Sequence, residues 1–343
     1  MNYRNNPTLQ PNRKRINSVS AIKSRGAKHP SASVSRLAVA LIFCALLGGA
    51  AAATTIGRQQ ASAGITKASA TRKAKQSPRT PAKKFDAKQV GLQLYSLRRE
   101  FAQDVPGTLA KVRRMGVTNI ETAGTYNMPV EKFRQELDKA GLKPVSAHFG
   151  YERLRDDLDG AIKEAKALGV SYVATAWIPH KKAFTIEECQ RAIGDFNSWG
   201  EKLKANGLQF AYHIHGYEFA THGGGTLFDH LAAETKPEYV SFEMDVFWVV
   251  HGGADPVKLM QKYPNRFALT HLKDMRKGTP TGLTSGHAPN ETNVPLGTGQ
   301  IDFPALLRES QKIGVKYHFI EDESVGAEQQ IPQSLRYLQQ VKF

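Results

Sequence analysis

Val90-Gly-Leu-Gln-Leu-Tyr-Ser-Leu97 is the run on which the choice of fold turns. It reads as a buried strand, and a doubly wound open sheet would follow such a first strand with a glycine-rich phosphate turn. Gln93-Leu-Tyr-Ser-Leu97 contains no glycine, so the open sheet loses its main support. Outward from here the chain alternates without interruption. Strand-like runs begin near Val90, Thr118, Lys143, Ser171, Leu208, Tyr239, Arg266 and Lys316. Between them, apolar residues recur at three- and four-residue spacing over 105–115, 130–140, 158–168, 187–205, 227–234, 256–263 and 303–313, and 331–341 closes the series. Gly116, Gly141, Gly169, Gly207 and Gly314 follow five of these helices, where a left-handed cap lets the chain leave a helix. Eight βα units in about 255 residues predict an α/β fold closed as a (β/α)8 TIM barrel.

Active groups of such a barrel stand at the C-terminal ends of its strands. Four runs end in a polar side chain there: Leu208-Gln-Phe-Ala-Tyr-His213, Tyr239-Val-Ser-Phe-Glu-Met-Asp245, Arg266-Phe-Ala-Leu-Thr-His271 and Lys316-Tyr-His-Phe-Ile-Glu321. Parallel strands are nearly continuous apolar stretches, so a charged terminus needs a reason. Two imidazoles and two carboxylates converging at one point predict a divalent metal held by His213, Asp245, His271 and Glu321. The same rule selects Gln93 and Tyr95, Glu121, His148, Trp177, then His215 with Glu218, and Lys273. The irregular segment 274–300 is rich in Gly, Pro and Thr and is expected to cover the pocket mouth.

Charge divides the chain. Of 47 Lys and Arg, 16 lie in residues 1–85, which contain no Asp or Glu; the remainder balances 31 basic against 31 acidic groups. The net +16 therefore belongs to the tail, and the barrel offers no electrostatic case for nucleic acid. Within the tail, Leu37-Ala-Val-Ala-Leu-Ile-Phe-Cys-Ala-Leu-Leu-Gly-Gly-Ala-Ala-Ala-Ala53 follows Arg36 and ends in small residues. It falls short of the roughly 20 residues of a comfortable span, so it reads as an export signal cut near Ala51 to Ala53, with a periplasmic product. The alternative is an uncleaved inner-membrane anchor over 37–53. Residues 54–85 lack the apolar content for a core and read as a tether, leaving 86–343 as the catalytic domain. After cleavage Cys189 would be the lone cysteine, so no internal disulfide is expected.

Six phrases, in order, resemble the sugar phosphate isomerase/epimerase superfamily, the xylose isomerase-like barrels that also include endonuclease IV. They are Gly91-Leu-Gln-Leu-Tyr-Ser-Leu97, Phe210-Ala-Tyr-His-Ile-His215 with Glu218, and Met244-Asp-Val-Phe-Trp248 followed by Gly252-Gly253. Thr270-His-Leu-Lys-Asp274, Leu296-Gly-Thr-Gly-Gln-Ile-Asp-Phe303 and Phe319-Ile-Glu-Asp322 complete the series. The resemblance implies a divalent ion held by the last four strands, manganese first, with cobalt, magnesium or zinc as alternatives. Asp245, His271 and Glu321 match three ligand positions of the ketose 3-epimerases. At the first, His213 replaces a Glu that also serves as a base there, and Trp248 stands where those enzymes place a substrate-binding His. The Tyr-His-x-His pattern is similar to inosose dehydratase relatives and enzymes of 3-keto-sugars.

The expected function is a metal-dependent sugar isomerase or epimerase working by proton abstraction α to a carbonyl. A dehydratase or lyase on 3-keto-sugars or 3-keto-glycosides is the alternative, and a sugar-binding barrel or an endonuclease IV-like phosphodiesterase stands behind both. Glu321 is the expected base, His213 or His215 the complementary acid or base, and Lys273 a stabiliser of the enolate. Gln93, Glu121, His148 and Trp248 are expected at the substrate, and Glu218 either there or supporting the two histidines. The partner is a small carbohydrate, the membrane enters only through an uncleaved tail, and a homo-oligomer is left open.

Overall fold

A computed structural model of the chain describes residues 85–343. Eight parallel strands close on themselves: β1 Val90–Gln93, β2 Asn119–Thr122, β3 Lys143–His148, β4 Tyr172–Thr175, β5 Gln209–His213, β6 Val240–Asp245, β7 Phe267–Leu272 and β8 Tyr317–Ile320. Each pairs with its neighbours in sequence order, and β8 returns to β1 through Val90 opposite His318. The expected strand starts hold to within one residue. Around the barrel run α1 Val105–Arg114, α2 Val130–Ala140, α3 Leu158–Leu168, α4 Ile186–Ala205, α5 Leu227–Glu234, α6 Pro256–Lys262, α7 Phe303–Ile313 and α8 Ala327–Gln340.

The helices form where local chemistry and periodicity agree. In α4, Thr185 Oγ1 accepts the N–H of Glu188 while the Glu188 carboxylate accepts that of Thr185, a reciprocal cap on the first turn. Cys189, Ala192, Ile193, Phe196, Trp199 and Leu203 then give that helix one buried face against the barrel. Cys189 is packing within this face. α8 begins at Ala327, a turn earlier than expected, because Pro332 sits inside the helix instead of near its start. A short helix, Val246–His251, follows β6 directly and was not foreseen.

Inside the barrel, small residues make room for one large plug. A Cβ on Gly91 would meet the Phe319 ring at 2.7 Å and the Asn119 carbonyl oxygen at 2.8 Å. Phe319 packs there with Val145, Tyr172, Ala174, Ala211 and Leu269, all buried. This filling leaves the polar groups to the C-terminal strand ends.

The domain boundary moves by one residue from the expected 86. Phe85 is buried and packs edge-on to His318, 5.3 Å between centroids, as part of the apolar layer outside β8. The expected export or anchor segment 1–53 and the tether 54–84 lie outside the described residues. Among the described residues no helix is long and apolar enough to cross a membrane.

Candidate metal centre

Alternation along a strand sends every second side chain into the barrel. On β6 this places Glu243 and Asp245 on one face, while Phe242 and Met244 pack outward against the helices. Asp245 ends the strand and caps the short helix after it: its Oδ1 accepts the N–H groups of Phe247 at 2.9 Å and Trp248 at 3.1 Å. Its Oδ2 is buried with no hydrogen bond. That oxygen lies 3.8 Å from His213 Nε2 and 3.9 Å from His271 Nδ1. Glu321, one residue past β8, brings Oε2 to 3.2 Å from the same His271 Nδ1. Of the four groups expected to share a cation, Asp245, His271 and Glu321 come together, and His213 approaches them through Asp245 Oδ2.

The spacing around Asp245 Oδ2 leaves room for a cation, while Glu321 Oε2 stands within hydrogen-bond distance of His271 Nδ1. Ligands about 2.1 Å from one ion stand roughly 3.0–3.5 Å apart, close to these separations. Asp245 Oδ2 is too far from either imidazole for a hydrogen bond, and a buried carboxylate oxygen left so is costly. Burial pushes the Asp245 carboxyl up to about 7. Ligand atoms of Asp245, His271 and Glu321 all lie within 4.8 Å of one another, as do those of His148, His213, Glu243 and His271. The second group is already tied together, since Glu243 Oε2 lies 2.8 Å from His148 Nε2 and 3.2 Å from His213 Nδ1.

Above the centre is a cavity lined by Gln93, His148, His215, Trp248, Lys273 and Glu321 and by the segment 286–293. The loop after β7 thus covers the mouth, as its composition suggests. Its base is pinned by Asp274, whose Oδ2 accepts the N–H groups of Gly297 and Gly299, each at 2.9 Å. His215 stacks on Trp248, 4.5 Å between centroids, with its Nδ1 unpartnered. Lys273 is wholly buried, hydrogen-bonded to Glu323 and 3.4 Å from Glu321 Oε2. Burial works against its charge, but Glu323, Glu321 and Asp245 more than offset it and hold the ammonium protonated.

Of two carboxylates expected near the substrate, Glu218 takes its other reading, support of the histidine pair, and Glu121 is placed differently. Glu218 is wholly buried and faces away from the cavity: its Oε1 accepts the His215 N–H at 2.9 Å and the Tyr212 hydroxyl. Desolvation raises its carboxyl to about 7, and its work is to hold the Tyr-His-x-His strand end in shape. Glu121 lies beneath the centre, 2.5 Å from His271 Nε2 and 2.8 Å from Gln93 Nε2, and does not line the cavity. Glu243 and Glu323 are site residues that strand ends alone do not reveal. Each stands two residues from an expected ligand, so alternation is the signal that finds them.

A family model for the xylose isomerase-like TIM barrel matches residues 109–341. The chain is 28% identical over 226 residues to inosose dehydratase of Lacticaseibacillus casei, covering 58% of this chain and 75% of that protein. Among solved structures it is similar to a sugar phosphate isomerase/epimerase from Parabacteroides distasonis, with a TM-score of 0.60 and 27% identity over 77% of this chain and 96% of that one. The IOLI protein, solved with a zinc atom bound, shares the fold at a TM-score of 0.58 and 16% identity, over 72% and 95% of the two chains. With eight parallel strands and a family match over most of its length, the chain belongs to the xylose isomerase-like TIM barrel family.

Proposed function

We propose that the protein is a divalent-metal-dependent enzyme that removes a proton α to the carbonyl of a small keto-sugar or keto-polyol. The observation that carries this is the unpartnered Asp245 Oδ2, facing His213 and His271 across gaps of 3.8 and 3.9 Å with Glu321 beside them. These four residues would hold the ion, and a zinc atom in the IOLI protein, on the same fold, supports a divalent cation. When bound, the cation supplies Lewis-acid polarisation of a carbonyl and its neighbouring hydroxyl.

The remaining work falls to the chain's own groups. Glu321 faces the cavity and takes the α-proton onto its carboxylate, and the C–H electron pair moves toward the carbonyl oxygen. Lys273, 3.4 Å from Glu321, brings a fixed positive charge near the enolate. Trp248 offers an aromatic surface beside the sugar ring, and the loop 286–293 excludes water from above.

Two outcomes share that first step. In dehydration the enolate expels a β-hydroxyl, which leaves as water with the proton Glu321 had taken. Two observations favour this outcome. His213 is engaged on both sides, by Glu243 at Nδ1 and toward Asp245 at Nε2, and is not free as the second base that epimerisation needs. The sequence relatives include inosose dehydratase. Isomerisation or epimerisation is the second reading, favoured by the 27% identity to a sugar phosphate isomerase/epimerase.

Metal-loaded protein incubated with inosose and with keto-sugars in deuterated water separates them. Deuterium entering one carbon of an intact substrate marks epimerisation, and a conjugated enone with loss of water marks dehydration. No exchange and no product from any α-hydroxyketone would overturn the proposal.

A further inference from the structure

Two carboxylates beneath the candidate centre have no part in the steps above. Glu121 and Glu243 are wholly buried and neither lines the cavity. They instead meet the imidazoles that face the metal gap, at the nitrogens turned away from it, and Glu243 reaches both rings, with Oε1 3.3 Å from His271 Nε2. Glu243 Oε2 lies 3.2 Å from His213 Nδ1, whose Nε2 looks toward Asp245. Glu121 Oε2 lies 2.5 Å from His271 Nε2, whose Nδ1 looks toward Asp245 and Glu321. His148 Nε2 ties the two carboxylates together, 2.8 Å from Glu243 and 3.2 Å from Glu121, and Gln93 Nε2 holds Glu121 from the other side.

Strand register explains the arrangement. Glu121 is level with Gln93 across β1 and β2, and Glu243 is level with His213 across β5 and β6. The pairing of β6 with β7 shifts by one residue between Phe242 and Glu243, so that Glu243 stands opposite Leu269 and Asp245 opposite His271. Such a bulge re-aims a side chain without moving the strand. It sets Asp245 beside His271 in the upper layer and keeps Glu243 with His213 below.

We propose that Glu121 and Glu243 are positioning residues that impose opposite tautomers on the two imidazoles, the proton on Nε2 of His271 and on Nδ1 of His213. A neutral imidazole carries one proton, and a carboxylate can only accept, so each carboxylate fixes the proton on the nitrogen it faces. At His213 the opposite nitrogen, 3.8 Å from Asp245, is then left bare. At His271 the opposite nitrogen also faces a carboxylate, Glu321 Oε2 at 3.2 Å, so the metal-free ring carries both protons and a cation takes the place of the one on Nδ1. The anionic acceptor behind each ring raises its basicity as a ligand. This leaves His271 Nδ1 and His213 Nε2 aimed at the space shared with Asp245 and Glu321. The assignment rests on the metal-centre reading above, though the proton positions can be measured without any metal.

The test uses the full chain and zinc ion alone. In wild-type protein labelled with 15N-histidine and freed of metal, long-range proton–nitrogen spectra should report an Nδ1–H tautomer for His213 and protons on both ring nitrogens of His271, with only the Nε2 proton left on His271 once zinc is added. Glu243→Gln should disturb the His213 pattern most and that of His271 to a lesser degree, whereas Glu121→Gln should disturb His271 and leave His213 as in wild type. Each substitution should weaken zinc affinity roughly 10–100-fold in competition with a chromophoric chelator, with the metal-free melting curve still cooperative. Zinc affinity within twofold of wild type in both folded variants would overturn the proposal, as would an Nε2–H tautomer on wild-type His213. If either variant fails to fold, the wild-type spectrum still decides. A wild-type protein that takes up no zinc removes the metal reading, and the tautomers then judge the positioning pair by themselves.

Discussion

At the scale of single residues, Asp245 sets stability against function. Its Oδ1 caps a helix while its Oδ2 is buried facing ring nitrogens and has no hydrogen bond. Asp245→Asn keeps the capping oxygen and turns the other atom into a donor aimed at acceptors. Metal-free stability should therefore rise by about 1 kcal/mol, while the zinc-induced rise in melting temperature disappears. Calorimetry with and without zinc checks both, and a variant stabilised by zinc as wild type is would remove Asp245 from the ligand set. Glu321→Gln retains an oxygen that can bind the ion but loses the base. Turnover should fall by about 10²–10⁴-fold with zinc still bound, as measured by deuterium exchange and metal content. His213, Asp245, His271 and Glu321 are legible because a charged group ending an apolar run has few innocent explanations. Glu243 escapes a search confined to the last residue of each run, since it sits inside one, between Phe242 and Met244. Glu121 looks like a substrate contact in the sequence because a buried carboxylate serving another side chain has the same local pattern as one serving a ligand.

At the scale of elements, the loop after β7 is the part on which substrate access depends. Gly286 lies on its underside with φ +67°, a backbone conformation that strains any residue with a side chain. A Cβ there would also stand 2.9 Å from the Tyr217 ring and 3.0 Å from Trp177. Gly286→Ala should lift the loop off these rings and leave the barrel alone. A KM raised several-fold or more, with a melting temperature within a few degrees of wild type, is the expected result in steady-state kinetics and thermal unfolding. An unchanged KM would mean that the loop does not shape the substrate site. Composition suffices to mark this loop as a cover, but not to tell what holds it closed. Asp274 does so by gathering N–H groups from Gly297 and Gly299, more than twenty residues further along the chain, and nothing local in the sequence announces that reach. The strands and helices were legible for the opposite reason: their periodicity, caps and glycine stops are all local. The early start of α8 shows the limit, because a proline tolerated within a helix looks the same in sequence as one that begins it.

At the scale of the whole molecule, the polar groups of the site collect at the C-terminal strand ends, and an aromatic contact covers the outer side of β8. Phe85 and Phe343, the two ends of the described chain, meet there with centroids 6.4 Å apart, and Phe85 also covers the edge of His318. His318 is thereby buried, with Nδ1 2.7 Å from Thr270 Oγ1 and Nε2 without a partner. Burial disfavours its charged form and lowers its pKa to about 4. In the unfolded chain the same imidazole titrates near 6.5. The native state therefore refuses a proton that the unfolded state accepts between these values. Stability contributed by the neutral ring is complete above about pH 6.5 and is lost as pH falls toward 4. At pH 4.5 the loss attributable to His318 should be roughly 2–3 kcal/mol relative to pH 7. His318→Asn keeps a polar partner for Thr270 and removes the titration. Urea unfolding of metal-free wild type and variant at pH 7, 6, 5 and 4.5 isolates this group, because every other titrating group is common to both and cancels in the difference. The variant should start less stable at pH 7, through lost packing, and close the gap as the solution is acidified. Parallel curves would mean that the ring accepts a proton while the protein remains folded, which requires the contact of Phe85 with His318 to open in the native state.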